Sequence, residues 1–300
     1  MKIATTTGDF GNYANTLEEI VAIMAKTSFR CIDCGLGVAT FEKNPELRQD
    51  NWLDAVKRLK DTAEGYGMEF VQAHAPMGRP LVKDENYEEF MFLTKRSMEV
   101  AAALGIPNIV VHSGYRLGIS KEQCFQENKL FYDELLQLAE KININVLTEN
   151  FNKMSVPDMY WMDNAPDERE LIDLVNHPLF HACWDTGHGN MQELSQRDAL
   201  KTLGEHVYAL HVQDNLKIDD HHMAPFMGTL DVDSLMTGLA EIGYKGCFTF
   251  EATRMIMPSQ SRRQTIENGP KAKLPLELKI KAENLLYEIG EFMIRDYPIA

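Results

Sequence analysis

The sequence is short of cysteine, of basic residues and of long apolar runs. Its five cysteines are odd in number and scattered, so they offer no framework of paired bridges. A chain of 300 residues needs none, because it can bury about three-quarters of the surface it would expose unfolded. A reduced, cytoplasmic setting is therefore expected. Cys31 and Cys34 form a C-x-x-C without a second pair or a helix start beside it. In Phe29-Arg-Cys-Ile-Asp-Cys-Gly35 they read as strand residues facing opposite ways. Lys and Arg number 30 against 45 Asp and Glu, for a net charge of -15. That disfavours a broad electrostatic footprint on nucleic acid, which is not expected as a partner. No run approaches the ~20 apolar residues of a membrane span, and the first residues lack the apolar core of a signal peptide, so no membrane partner is expected either. There is no Walker loop and no G-x-S-x-G elbow. Gly35-Leu-Gly37 lacks the third glycine of a dinucleotide fingerprint.

What is present is alternation. Short apolar runs rich in β-branched residues, at 2–7, 30–35, 68–73, 108–112, 143–149, 180–185, 207–212 and 247–251, read as strands. Helical periods follow near 16–26, 51–66, 85–104, 121–141, 167–176, 191–204, 231–242 and 275–296. Alternating elements predict a parallel α/β sheet with helices outside. Eight βα units predict closure into a (β/α)8 TIM barrel, a single domain over 1–300 ending in a C-terminal helix. Two connections, 150–166 and 254–273, are long enough to act as lids or binding loops on the C-terminal face. The first carries Met154, Tyr160, Trp161 and Met162, which either close over a sugar face or pack on the barrel rim, the rim being the expectation. The second sets Arg254, Arg262, Arg263, Lys271 and Lys273 against one acid, Glu267. It reads either as a solvated loop or subunit contact, or as a cover bringing cations to an anionic substrate.

The chemistry lies at the strand ends. Strands three to eight end in or beside His74, His112, Glu149, Asp185, His211 and Glu251, the end at which active sites of this fold are built. Any one of these could be a helix cap or a hydrogen-bonded filler. Burying three carboxylates and three histidines together is costly without a cation, and a divalent metal is the simplest compensation. Asp185-Thr-Gly-His188 adds a histidine beyond strand six. Asp220-His-His222 adds an Asp-x-His pair, with His221 read as an exposed loop side chain. Gly228 would allow a tight turn into a helix capped by Asp231.

The set Thr-Glu149-Asn, Cys-Trp-Asp185-Thr-Gly-His188, His211-Val-Gln-Asp-Asn, His222-Met-Ala-Pro-Phe-Met-Gly228 and Phe-Glu251 resembles the xylose-isomerase-like barrel superfamily. It looks most like its sugar-phosphate isomerase/epimerase branch, over nearly the whole chain. The resemblance implies one divalent metal (Mn2+, Mg2+, Co2+ or Zn2+) held by Glu149, Asp185, His211 and Glu251. It also implies that Glu149 and Glu251 form an acid–base pair and that His188 contacts substrate. His74, His112, Asp220, His222, Lys217 and Arg254 are further substrate-binding candidates. Lys153, Arg262 and Arg263 could also meet a phosphate, although no motif singles one out.

The superfamily also contains endonuclease IV-type enzymes with a trinuclear zinc cluster. Each of their nine ligand types has a match here: His74, His112, Glu149, Asp185, His188, His211, Asp220, His222 and Glu251. The expectation is an isomerase or epimerase of a small sugar, polyol or sugar phosphate, acting through an enediolate. The alternatives are a zinc phosphodiesterase and a sugar-binding barrel without catalysis. A homo-oligomer is plausible for such a chain.

Overall fold

The computed structural model describes residues 1–152, 161–256 and 274–297. Eight parallel strands follow one another around a barrel: β1 (Ile3–Thr6), β2 (Cys31–Gly35), β3 (Glu69–His74), β4 (Asn108–Val110), β5 (Asn145–Glu149), β6 (Phe180–Asp185), β7 (Val207–His211) and β8 (Phe248–Phe250). Each pairs with its neighbour in sequence, and β1 closes onto β8. Between β7 and β8 the joint is a single bridge, Val212 to Phe250. It is held by Val212 N–H to the Thr249 carbonyl (2.8 Å) and Glu251 N–H to the Val212 carbonyl (3.1 Å). The expected strands and their order are all found.

The helices are α1 (Leu17–Met24), α2 (Val38–Lys43), α3 (Trp52–Gly65), α4 (Tyr87–Leu104), α5 (Lys121–Ile142), α6 (Ala165–Val175), α7 (Thr186–Asn190), α8 (Gln196–Leu203), α9 (Val232–Glu241) and α10 (Leu276–Asp296). Thr16, Ser120, Asn164, Ser195 and Asp231 cap α1, α5, α6, α8 and α9 by accepting amide hydrogens of the first turn, which satisfies donors the helix leaves free. The helical period expected at 191–204 divides differently. Its first part is turn, α8 begins after the Ser195 cap, and the short α7 starts earlier, at the end of β6. Two glycines in α7 hide it from a propensity reading.

Most apolar side chains form one core between the strands and the helices. Inside the barrel a small second cluster, Val110, Leu147, Cys183 and Ala209, makes a dry floor. Two residues further along the same strands stand His112, Glu149, Asp185 and His211. The two-residue period of a strand puts them on the same inward face, one layer above the floor.

The last helix is pinned to the first strand's end by buried charge. Lys279 Nζ lies 2.7 Å from Asp9 Oδ1 and 2.8 Å from Glu283 Oε1, all three being buried. The Thr5 hydroxyl donates to Asp9 (3.1 Å).

Candidate metal centre and active site

Glu149 is the hub. It is 1% exposed, and its two oxygens face different groups. Oε1 lies 2.9 Å from His211 Nδ1 and 3.8 Å from His188 Nδ1. Oε2 lies 3.2 Å from His112 Nε2 and 3.5 Å from His74 Nε2. Glu251, just past β8, brings Oε2 to 3.6 Å from His211 Nδ1. Donor atoms of Glu149, Asp185, His211 and Glu251 all lie within 4.8 Å of one another. So do those of His74, His112 and Glu149, and those of His188, Asp220 and His222.

Three of the histidines are aimed by the backbone. Nδ1 of His74 donates to the Ala75 carbonyl (2.7 Å), Nδ1 of His188 to the Asn150 carbonyl (2.8 Å), and Nδ1 of His222 to the Glu251 carbonyl (2.8 Å). Each ring thereby offers Nε2 to the interior. Anchoring one ring nitrogen so that the other faces an ion is the usual arrangement around histidine ligands.

Asp185 does two jobs. Oδ1 caps α7 by accepting the His188 amide (2.6 Å), and the carboxylate joins the donor group around Glu149. Asn150 grips its backbone on both sides, accepting the Asp185 amide (2.7 Å) and donating to its carbonyl (3.0 Å). Gln213 Nε2 reaches Asp185 Oδ1 (3.2 Å) and Asp220 Oδ1 (2.8 Å). Asp220 Oδ2 lies 2.9 Å from His222 Nε2 and 3.5 Å from His188 Nε2.

Burial and close charged neighbours shift several of these groups. Burial pushes the Asp185 carboxyl up to about 7, helped by Glu149 and Glu251 and opposed by His188. Burial also works against a charged Glu149, yet His211 and His112 outweigh it and hold that carboxyl well below its ordinary range. Burial lowers His112 to about 3, its neutral form. For His188 burial is overcome by Asp185 and Asp220, which raise it to about 10. These groups open onto a cavity of about 380 Å³ lined by Asp33, His74, His112, Glu149, His188, Asp220, His222 and Glu251, with Met77 and Phe151 as apolar wall. Among the described residues no lysine or arginine lines it.

The site therefore gathers His74, His112, Glu149, Asp185, His188, His211, Asp220, His222 and Glu251. Lys217 and Arg254 are not in the cavity lining. Lys217 is exposed at a left-handed turn, φ 61°. Arg254 braces the 220–222 segment instead, donating from Nη1 to the Asp220 carbonyl (2.7 Å). His221 is half-buried and accepts the Leu216 amide (3.4 Å). Gly228 matters through close approach and not through its φ. A Cβ there would collide with the Asn215 carbonyl and the Asp214 carboxylate, which takes the amides of Gly228 (2.8 Å) and Leu230 (2.9 Å). Trp161 and Met162 pack against the barrel, as expected of that loop. Lys153, Met154, Tyr160, Arg262, Arg263, Glu267, Lys271 and Lys273 lie outside the described residues. Sequence reasoning missed Asp33, Asn150 and Gln213, all buried.

A family model described as the xylose isomerase-like TIM barrel matches residues 21–272. The chain belongs to that family. Among its curated relatives is the uncharacterised protein y4fM of Sinorhizobium fredii, 26% identical over 53% of this chain, which spans about half of that relative (51%). Another is the inosose isomerase of Bacillus velezensis, 21% identical over 77% of this chain and 83% of the relative. A crystal structure of IOLI protein with a bound zinc atom superposes with a TM-score of 0.74 at 17% identity, over 99% of both chains. At that identity the likeness is one of fold.

Proposed function

We propose that this chain is a divalent-metal-dependent isomerase or epimerase of a small sugar, polyol or sugar phosphate. The observation that carries this reading is the group of buried Glu149, Asp185 and His211 with half-buried Glu251 above an apolar barrel floor. The donors fit a metal: carboxylate oxygen and imidazole nitrogen converge from four successive strands, and no lysine or arginine among the described residues lines the cavity to neutralise them. The mixed set suits Mn2+, Mg2+, Co2+ and Zn2+ alike. A bound divalent ion would polarise a substrate oxygen and stabilise negative charge developing there.

The chain's own residues supply the rest. Glu149 and Glu251, from non-adjacent strands, are the acid–base pair. One carboxylate takes the proton from the carbon beside a carbonyl, leaving an enediolate, and a carboxylic acid returns a proton to the same or the neighbouring carbon. His188, His74, His112, Asp220 and His222 offer hydrogen-bonding groups for hydroxyls around the cavity. Met77 and Phe151 give an apolar wall against which a sugar face can lie. The inosose isomerase relative agrees with chemistry of this kind.

A second reading rests on Glu149. Its two oxygens face two different donor groups, and His188, Asp220 and His222 make a third. Such a site has ligands for a zinc cluster of the phosphodiesterase type.

Metal stoichiometry separates the two. Protein purified without added metal or chelator is analysed for elements. About one ion per chain supports the isomerase, and ketoses, aldoses, inososes and their phosphates are then screened for exchange of carbon-bound hydrogen with deuterium from solvent. Two or three zinc ions per chain favour the phosphodiesterase, with abasic-site DNA as the next substrate. Failure to bind any divalent ion on add-back would sink both. Tight sugar binding without turnover at a loaded site would favour a non-catalytic barrel.

A further inference from the structure

Asp33 has no part in the chemistry above, yet it stands inside the barrel. It lies mid-strand in β2, is 1% exposed, and lines the cavity. Its Oδ2 sits 3.6 Å from Nε2 of His211, just beyond hydrogen-bond length. Among the described residues, neither Asp33 Oδ1 nor His211 Nε2 has a hydrogen-bond partner. Leaving a buried carboxylate and a buried ring nitrogen this poorly matched costs stability, so the fold retains them against its own interest.

His211 has two unlike sides. Nδ1 faces Glu149 Oε1 at 2.9 Å and Glu251 Oε2 at 3.6 Å, two of the proposed ligands. Nε2 faces Asp33, and Cys183 lies close to the same ring. A neutral imidazole has one lone pair, and the partner of the other nitrogen decides where that lone pair is. A carboxylate can only accept: Glu149, at 2.9 Å, draws a proton to Nδ1 until an ion takes that place, and Asp33 then gives the remaining proton a partner at Nε2. Three of the other four histidines of the site, His74, His188 and His222, are aimed by backbone carbonyls. Among the described residues His211 has no such carbonyl contact, and Asp33 stands in its place.

We propose that Asp33 is the positioning residue of the metal centre, holding His211 in the tautomer and orientation that present Nδ1 to the ion. Its effect on the ion is exerted through His211. The proposal rests on the reading that Glu149, Asp185, His211 and Glu251 hold a divalent metal. Its test can fail without that reading failing.

Metal-free full-length protein, wild type, Asp33→Ala and Asp33→Asn, is titrated with Mn2+ by calorimetry, and the thermal midpoint of each is taken without metal. Loss of such an outer partner weakens metal binding by about 10–100-fold. Asp33→Ala is expected to fall in that range. Asp33→Asn can still accept the Nε2 proton through its amide oxygen, and is expected to keep part of the affinity. The metal-free midpoints should stay level or rise, because an unmatched buried carboxylate has been removed. A merely structural role would move affinity and midpoint down together, and that result overturns the proposal. So do variants that bind Mn2+ as wild type does. A wild type that binds no divalent ion overturns the metal reading itself.

Discussion

Gly187→Ala tests whether Gln213 holds the two aspartates of the site in register. Gly187 is buried in α7, and a Cβ built on it would overlap the Gln213 carboxamide. That group ends a flexible side chain, so the amide moves and the helix stays. Alanine is itself the better helix former by about 1 kcal/mol, so the backbone does not suffer. What is lost is the bridge from Gln213 Nε2 to Asp220 Oδ1 at 2.8 Å and to Asp185 Oδ1 at 3.2 Å. Hydrogen bonds to charged groups contribute roughly 1.5–3 kcal/mol each. Only Asp185 is a proposed ligand and its contact is long, so the loss in metal affinity is set at about 1 kcal/mol, which corresponds to ~5-fold in an equilibrium constant. Calorimetric titration of the metal-free protein with Mn2+ should show that loss. Gly65→Ala is the control, since a Cβ there meets nothing within 4 Å. A Gly187→Ala protein that binds Mn2+ as tightly as the control refutes the reasoning.

Three further outcomes are expected. Glu251→Gln should bind metal less well and lose turnover by about 10²-fold or more, the scale of a missing acid–base group; unchanged turnover on an identified substrate would remove Glu251 from the mechanism. In the metal-free protein burial is overcome at His211 by Cys183, Glu149 and Glu251, which hold it well above its ordinary value. It therefore carries a proton at neutral pH that an ion on Nδ1 must displace, so affinity should rise with pH; equal binding heats in buffers of different ionisation enthalpy would show that no proton leaves. Lys279→Met strands Asp9 and Glu283 in the interior and should cost about 3–5 kcal/mol. With an unfolding entropy of ~2.1 cal/mol/K per residue over 300 residues, that lowers the thermal midpoint by roughly 5–8 °C, and an unmoved calorimetric transition would contradict it.

The donors were legible because two periods coincide in them. Strand alternation puts Glu149 above Leu147, Asp185 above Cys183 and His211 above Ala209, and each stands where an apolar run gives way to loop. Asp33 obeys the same alternation but sits between the cysteines of a C-x-x-C, in the middle of its strand, where a lone acid carries no positional signal. Gln213 and Asn150 were invisible for another reason: neither titrates, and their value lies in what they grip. That Lys217 and Arg254 stand outside the cavity lining was not legible, because loop charge is readable and loop direction is not. The β7–β8 joint could not be read either. The apolar run at 247–251 predicts a strand as long as the others, whereas β8 is three residues long.

That joint bears on how the molecule ages and works. The barrel's seam falls between the strand that carries His211 and the strand that leads into Glu251. An ion shared by those two residues and by Glu149 and Asp185 would lie across the seam like a clasp. Without the clasp, that side of the wall would rest on its single bridge. Bound metal would then fasten the barrel as well as serve its site.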